Sequence, residues 1–226
     1  MLQAVKVLNH GSVALIEHMG SDLSVVRAAR TSYAAEWRSG EDEGKDAKLI
    51  NYLVEHFHTS PLESVTLTFD VHLPIFVARQ WMRHRTQSYS EVSARYAELP
   101  EEYYVPEISQ ITTQSVSNKQ QRTDVVHPMA AEYQLAIAEQ CASAFSLYKR
   151  MIAGGCPREL ARGVLPVNTF THFFTTMNLL NFYKFIQLRK HSHAQYEVRV
   201  YAEAMLELVR PIVPVTTAAF ERHWLK

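Results

Sequence analysis

Cys141 and Cys156 are the only thiols in the chain. Two isolated cysteines build neither a disulfide framework nor a paired metal motif, and they fit a reducing cytoplasm. Neither lies in a histidine-based nucleophile signature, so a synthase that attacks through cysteine is not expected. Charge of one sign is not in excess either. Lysine plus arginine and aspartate plus glutamate number 23 each, so no global basic field draws the chain to nucleic acid or an anionic membrane. No apolar run is long enough to span a bilayer, and Met1–Lys6 lacks the basic-then-apolar pattern of a secretion signal. There is no internal repeat. The G-x-G-x-x-G fingerprint and the P-loop are both missing, so a dinucleotide would have to be held by side chains.

What is present reads as one ordinary globular domain over residues 1–226, with 47% hydrophobic and 20% charged residues. Ala4–Leu8 and Ser12–Glu17, split by Asn9-His10-Gly11, predict a β-hairpin. Ser21-Asp22 opens a helix through Arg30, and Ser39–Lys45 reads as a loop. Asp46–Phe57 places Leu49, Ile50, Leu53, Val54 and Phe57 on one helical face. Ser60 with Glu63 three later, and Pro61 between, is a capping-box pattern. Val65, Leu67, Phe69, Val71 and Leu73 alternate with polar residues, which predicts a half-buried strand, and Ile75–Met82 predicts a helix. Glu107–His127 is polar and reads as a mobile loop or insertion with a solvated surface. Pro128–Ile152, Thr169–Arg189 and Tyr201–Val209 read as helices, with Pro211 and Pro214 before a short terminal element. The expected class is α+β, an antiparallel or mixed sheet packed with long helices.

The chemistry concentrates in Arg83–Tyr96, where three arginines, a histidine and three serines accompany a single glutamate. Guanidinium groups stay charged and present a planar fork that fits phosphate or carboxylate oxygens. Glu91 can orient an arginine or accept from a sugar hydroxyl, but one glutamate cannot pair three arginines. A solvated helix face is the plainer alternative. The composition favours a site for a small phosphorylated molecule.

The pattern R-H-R-x-x-S-x-x-x-x-S-x-R, filled by Arg83, His84, Arg85, Ser88, Ser93 and Arg95, resembles the motif of flavin-dependent thymidylate synthases. Three further elements follow in that family's order. His58-Thr59-Ser60-Pro61-Leu62-Glu63 is similar to H-x-[ST]-P-[FL]-E, although Ser64 stands where a histidine usually follows. Arg162-Gly163-Val164-Leu165-Pro166 is similar to an Arg-x-x-Leu-Pro element. Ser192-His193-Ala194-Gln195-Tyr196-Glu197-Val198-Arg199 is close to S-H-A-Q-[WY]-E-[IV]-R.

The resemblance implies reductive methylation of dUMP to dTMP, with FAD, NADPH and 5,10-methylenetetrahydrofolate, in a homotetramer with shared active sites. It implies flavin contacts at Ser60, Arg83, His84, Arg85, Glu91, Asn178, Leu179, Leu180 and Lys184, the last a position more commonly Asn or His. It implies nucleotide contacts at Gln80, Trp81, Met82, Arg83, Glu91, Val92, Ser93, Ala94, Arg95, Arg162 and Arg189. Arg189 is the residue implied for chemistry, its guanidinium beside uracil N3 and O2 stabilising developing negative charge. Within a single helix Asn178 and Arg189, eleven apart, share a face that Lys184 does not.

Other readings stay open on the residues alone. His56/His58 and His191/His193 form two H-x-H pairs, but no third metal ligand stands out and no metal is expected. Gln195 and Glu197 are expected to anchor the adjacent arginines. A metal-dependent nucleotide hydrolase would need clustered acids near the motif, where only Glu91 occurs. A binding module for RNA ends would need a broad basic face with exposed aromatics. Flavin absorbance in the purified protein separates all three.

Overall fold

The computed structural model describes residues 4–225; Met1-Leu2-Gln3 of the N-terminal stretch lie outside the described residues. The hairpin forms as expected: β1 (Ala4–Val7) pairs antiparallel with β2 (Gly11–Met19). Gly11 is required at its turn because an added Cβ would fall 2.0 Å from the Tyr201 hydroxyl. That hydroxyl donates to the His72 carbonyl at 2.8 Å. Helices α1 (Asp22–Thr31) and α2 (Glu43–Glu55) follow. The second begins three residues earlier than the apolar face suggests, because Asp42 accepts from the Lys45 amide at 3.0 Å and caps it.

Residues 60–64 form a short 3-10 turn in which Ser60 makes no capping bond, so the capping box read from Ser60 and Glu63 is not formed. The chain then enters β3 (Thr66–Pro74) and α3 (Ile75–Trp81). The alternation read in the sequence is realised: Val65, Leu67, Phe69, Val71 and Leu73 are completely buried. Each such side chain contributes roughly 1.5–3 kcal/mol through removal from water.

The cationic stretch contains a strand that its polar composition hides, β4 (Ser88–Glu91). The polar segment 107–127 is likewise more structured than a loop. It carries β5 (Thr112–Gln114) and β6 (Arg122–Val126), an antiparallel pair tied down where Arg122 Nη1 donates to the Gln110 carbonyl at 2.8 Å. Helix α4 (Ala130–Ala153) and the single turn α5 (Arg158–Ala161) follow.

The largest correction concerns Thr169–Arg189, which is not one helix. It is β7 (Phe170–Asn178) followed by α6 (Leu179–Arg189). Phe170, Phe173, Phe174 and Met177 have helical spacing, but β7 sits between β3 and β4 and pairs with both. Those two ladders satisfy its backbone, and tertiary pairing overrides the local pattern. The final helices are α7 (Tyr196–Val209) and α8 (Pro214–His223).

The main sheet is entirely antiparallel, in the order β1-β2-β3-β7-β4. One face buries Phe69, Val71, Phe173 and Met177 against α3, α6 and α7, including Trp81, Phe182, Phe185 and Tyr201. The opposite face carries Asp70, His72, His172 and Phe174, the last 44% exposed. Phe145 and Tyr148 of α4 form a smaller core with Ala161. Among the described residues no helix is long and apolar enough to cross a membrane.

Candidate active site

Helix α3 ends against the sheet, and the turn after it is held by one buried amide. Gln87 Oε1 accepts from the Trp81 indole at 3.0 Å and from the Thr175 hydroxyl at 3.2 Å. The Tyr89 hydroxyl lies 3.1 Å from the same oxygen and 3.0 Å from the His84 carbonyl, and burial pushes its pKa up. These contacts give Arg83-His84-Arg85 a fixed backbone while leaving the side chains of Arg83 and Arg85 exposed. Trp81 itself is fully buried, so it can meet a ligand only through its backbone.

His84 is half-buried against Phe185, with ring centroids 4.9 Å apart. Arg189, at the far end of α6, donates from Nε to His84 Nε2 at 3.0 Å and from Nη2 to the Gln80 carbonyl at 3.3 Å. Burial and the neighbouring guanidinium push the His84 pKa down to about 4. At neutral pH the ring is therefore uncharged, with Nε2 accepting and the proton on Nδ1. Burial also lowers the pKa of Arg189. Gln80 continues the chain of contacts, its Nε2 donating to Gln195 Oε1 at 2.6 Å.

A second cluster lies beyond β4. The Val92 amide donates to the His172 carbonyl at 2.8 Å, and Ser93 opens a turn whose carbonyl accepts from the Tyr96 amide at 2.9 Å. Glu91, Ser93, Ala94 and Arg162 line a cavity of about 320 Å³ together with Thr171. Glu91 accepts from the Thr171 hydroxyl at 2.6 Å and not from an arginine. Arg95 is exposed and turns to Glu159 at 3.8 Å, outside the cavity. Arg158 and Arg162, four apart, do not act together: Arg158 pairs with Glu98 at 3.2 Å, while Arg162 follows α5 into the cavity wall. Gln80, Met82, Arg83 and Arg189 do not line this cavity. One chain thus carries two distinct polar clusters.

At the other end of α6, Asn178 is the N-cap, and its side chain accepts from the Asn181 amide at 2.9 Å. Asn178, as the N-cap, and Arg189, as the last residue, stand at opposite ends of α6, about 16 Å apart at 1.5 Å per residue. Leu179 and Leu180 are buried in the core, so only their backbone can meet a ligand. Lys184 and Ser60 are exposed. Asn181 Nδ2 reaches the Thr86 carbonyl at 3.4 Å and ties this end of α6 to the cationic turn.

The donor set fits phosphorylated ligands. Arg83, Arg85 and Arg162 form no ion pair among the described residues, whereas Arg30, Arg122 and Arg158 all do. Cys141 is buried beside Asn168, and burial pushes its thiol pKa up, which disfavours a thiolate nucleophile. His191 and His193 lie 4.7 Å apart between ring centroids, with no group of three metal-ligating side chains among the described residues. Glu197 does not anchor the adjacent Arg199; it pairs with Arg122 at 3.0 Å, from the segment read as loop. That partnership left no local signal in the sequence.

Residues 14–215 match the family described as "Thymidylate synthase complementing protein". The chain is 44% identical to a flavin-dependent thymidylate synthase of Ehrlichia ruminantium (strain Gardel) over 222 residues, 98% of this chain and 74% of the relative. It is 42% identical to that of Rickettsia conorii (strain ATCC VR-613 / Malish 7) over 240 residues, covering 100% of this chain and 81% of the relative. Among solved structures it superposes on the UMP/dUMP methylase PolB from Streptomyces cacaoi bound with 5-Br dUMP. The TM-score is 0.88 at 33% identity, covering 97% of this chain and 98% of the other. The same methylase bound with 5-Br UMP gives a TM-score of 0.85 at 33% identity, over 97% of each chain.

Proposed function

The chain belongs to the flavin-dependent thymidylate synthases, and on that premise we propose how its own residues convert dUMP to dTMP. The carbon comes from 5,10-methylenetetrahydrofolate, and NADPH supplies the reducing equivalents through FAD. The products are dTMP, tetrahydrofolate and NADP⁺. Residues 1–226 act as one catalytic domain in a reducing cytoplasm.

The observation that carries the assignment of roles is the cavity that gathers Glu91, Ser93, Ala94 and Arg162 from two separate motifs. Arg162 binds the nucleotide phosphate as a planar, always-charged fork. Ser93 and the backbone around Val92 and Ala94 add short-range donors. Glu91, held by Thr171, accepts from the sugar. Arg95 joins the phosphate once it leaves Glu159, a long and exposed pairing that costs little to break.

Arg189 lies outside this cavity, so the nucleotide site is completed by the Gln80–Arg83–Arg189 cluster of a neighbouring copy in a homotetramer. Trp81 and Met82 contribute through the end of α3. There the Arg189 guanidinium faces uracil N3 and O2 and stabilises negative charge on the ring. Neutral His84 accepts from Arg189 Nε and holds the group in place before the reaction, so no reorganisation is needed as charge develops. FAD, when bound, supplies the hydride that completes the methyl group. Arg83, His84, Arg85 and Glu91 hold it, with Ser60, Asn178, the Leu179–Leu180 backbone and Lys184 at the other end of α6.

Tritium release from dUMP labelled at C5, measured anaerobically with and without FAD, tests this reading. Release and dTMP formation are expected only with FAD. Arg189→Ala should lose dTMP formation by about 10²–10³-fold or more, the range for removing a preorganised donor, while flavin absorbance is retained. Full turnover in that variant would overturn the role given to Arg189.

A further inference from the structure

Among the cavities that the roles above leave unused, one is walled mainly by polar side chains. It encloses about 440 Å³ between the β5–β6 hairpin and the Ser192–Gln195 loop that leads into α7. Its two arginines, Arg122 and Arg199, both approach the ring of Tyr196, their guanidinium carbons 5.6 and 5.8 Å from its centroid.

Only one of the two cations is balanced by a carboxylate. Glu197, 3% exposed, accepts from Arg122 Nη2 at 3.0 Å, from the Tyr104 hydroxyl at 3.1 Å and from Gln195 Nε2 at 2.8 Å. Its carboxylate is fully engaged by these three donors. Arg199 has only the Ser192 carbonyl, at 3.4 Å, and no carboxylate partner among the described residues. Asp124 stands on the exposed rim, where water and salt screen it. The cavity wall also holds a buried hydroxyl, Thr112 Oγ1, that has no partner. A phosphomonoester carries about two negative charges at neutral pH and accepts readily from forked donors.

The cavity is also wired to the chemistry. Gln195, on its wall, accepts from Gln80 Nε2, and the Gln80 carbonyl accepts from Arg189. A ligand seated here therefore lies two residues from the cluster assigned to flavin and uracil. The reductant needs such a place, and the chain offers no glycine-rich fingerprint for it.

We infer that this cavity holds the phosphorylated ribose of the nicotinamide reductant, with Arg199 as its principal phosphate ligand and Arg122 beside it. The inference rests on the functional reading above and adds to it a location and a residue, Arg199, that would read the extra phosphate of NADPH. The pyrophosphate of the flavin offers related chemistry, so the test must separate the two.

The FAD-loaded protein is titrated calorimetrically with adenosine 2′,5′-bisphosphate and with AMP. The bisphosphate should bind about 10–100-fold more tightly, the worth of a charge-assisted hydrogen bond, and Arg199→Ala should erase that preference while Arg199→Lys restores part of it. In stopped-flow flavin reduction the same Arg199→Ala variant should raise the KM for NADPH by a similar factor and leave that for NADH unchanged. With dithionite as reductant, its dTMP formation should equal that of the parent protein. An unchanged preference in Arg199→Ala, or release of FAD by the bisphosphate, would overturn the assignment. Loss of dithionite-driven turnover in the variant would overturn it too. Absence of dTMP from the parent protein under dithionite would instead overturn the functional reading beneath it.

Discussion

Arg189 and Arg162 carry the same group, yet the fold treats them in opposite ways. Arg189 is half-buried, fixed by His84 and the Gln80 carbonyl, and backed by a turn that Gln87 locks to the sheet. Arg162 is exposed at the wall of its cavity and forms no ion pair among the described residues. A group that meets developing charge gains from rigidity, because its orientation is settled beforehand. A group that captures a phosphate from solution gains from reach. On the roles proposed above, the two neighbourhoods would divide the work between stabilising a transition state and binding a substrate.

This contrast can be broken from either side. Arg162→Ala should raise the KM for dUMP by about 10–100-fold through loss of a charge-assisted hydrogen bond, with kcat changed far less. A steady-state titration of dUMP checks it; an equal fall in kcat would move Arg162 to the chemical side. Gln87→Leu should act on the rigid side alone. It leaves the Trp81 indole and the Thr175 hydroxyl without their shared acceptor, at about 1–3 kcal/mol of folding stability. Urea unfolding measures that loss, and an unchanged midpoint would show that the turn does not depend on this amide.

A smaller effect sharpens the comparison. His84 in the folded protein titrates near 4, below the ordinary 6.5. Between these values the unfolded chain binds a proton that the folded chain refuses. Stability present above pH 6.5 is therefore lost progressively as pH falls towards 4. His84→Gln should flatten this part of the stability profile, measured by urea unfolding across the pH series. Arg162→Ala should leave it untouched.

Much of the fold was legible in local pattern. Two-residue alternation in Val65–Leu73 and the turn at Asn9-His10-Gly11 pointed to elements that the structure contains, because burial of one strand face depends only on neighbouring residues. The same logic misled at Phe170–Asn178. There the aromatics fall at helical spacing, while Thr171, Thr175 and Thr176 carry the β-branched signal of a strand. Two flanking strands settled the conflict. Polar composition likewise hid β4 and the β5–β6 hairpin, whose anchor Glu197 lies far along the chain.

By itself the sequence determined which side chains were available: a concentration of guanidinium groups with too few acids beside them, and core residues at the periods of strands and helices. Only the tertiary structure decided which arginines are spent. Arg122 goes to buried Glu197, Arg158 to Glu98 and Arg95 to Glu159, while Arg83, Arg85 and Arg162 stay unpaired and Arg189 meets a neutral histidine. Periodicity is a property of near neighbours along the chain. Ion pairing depends on where long side chains from distant segments converge, and packing alone fixes that.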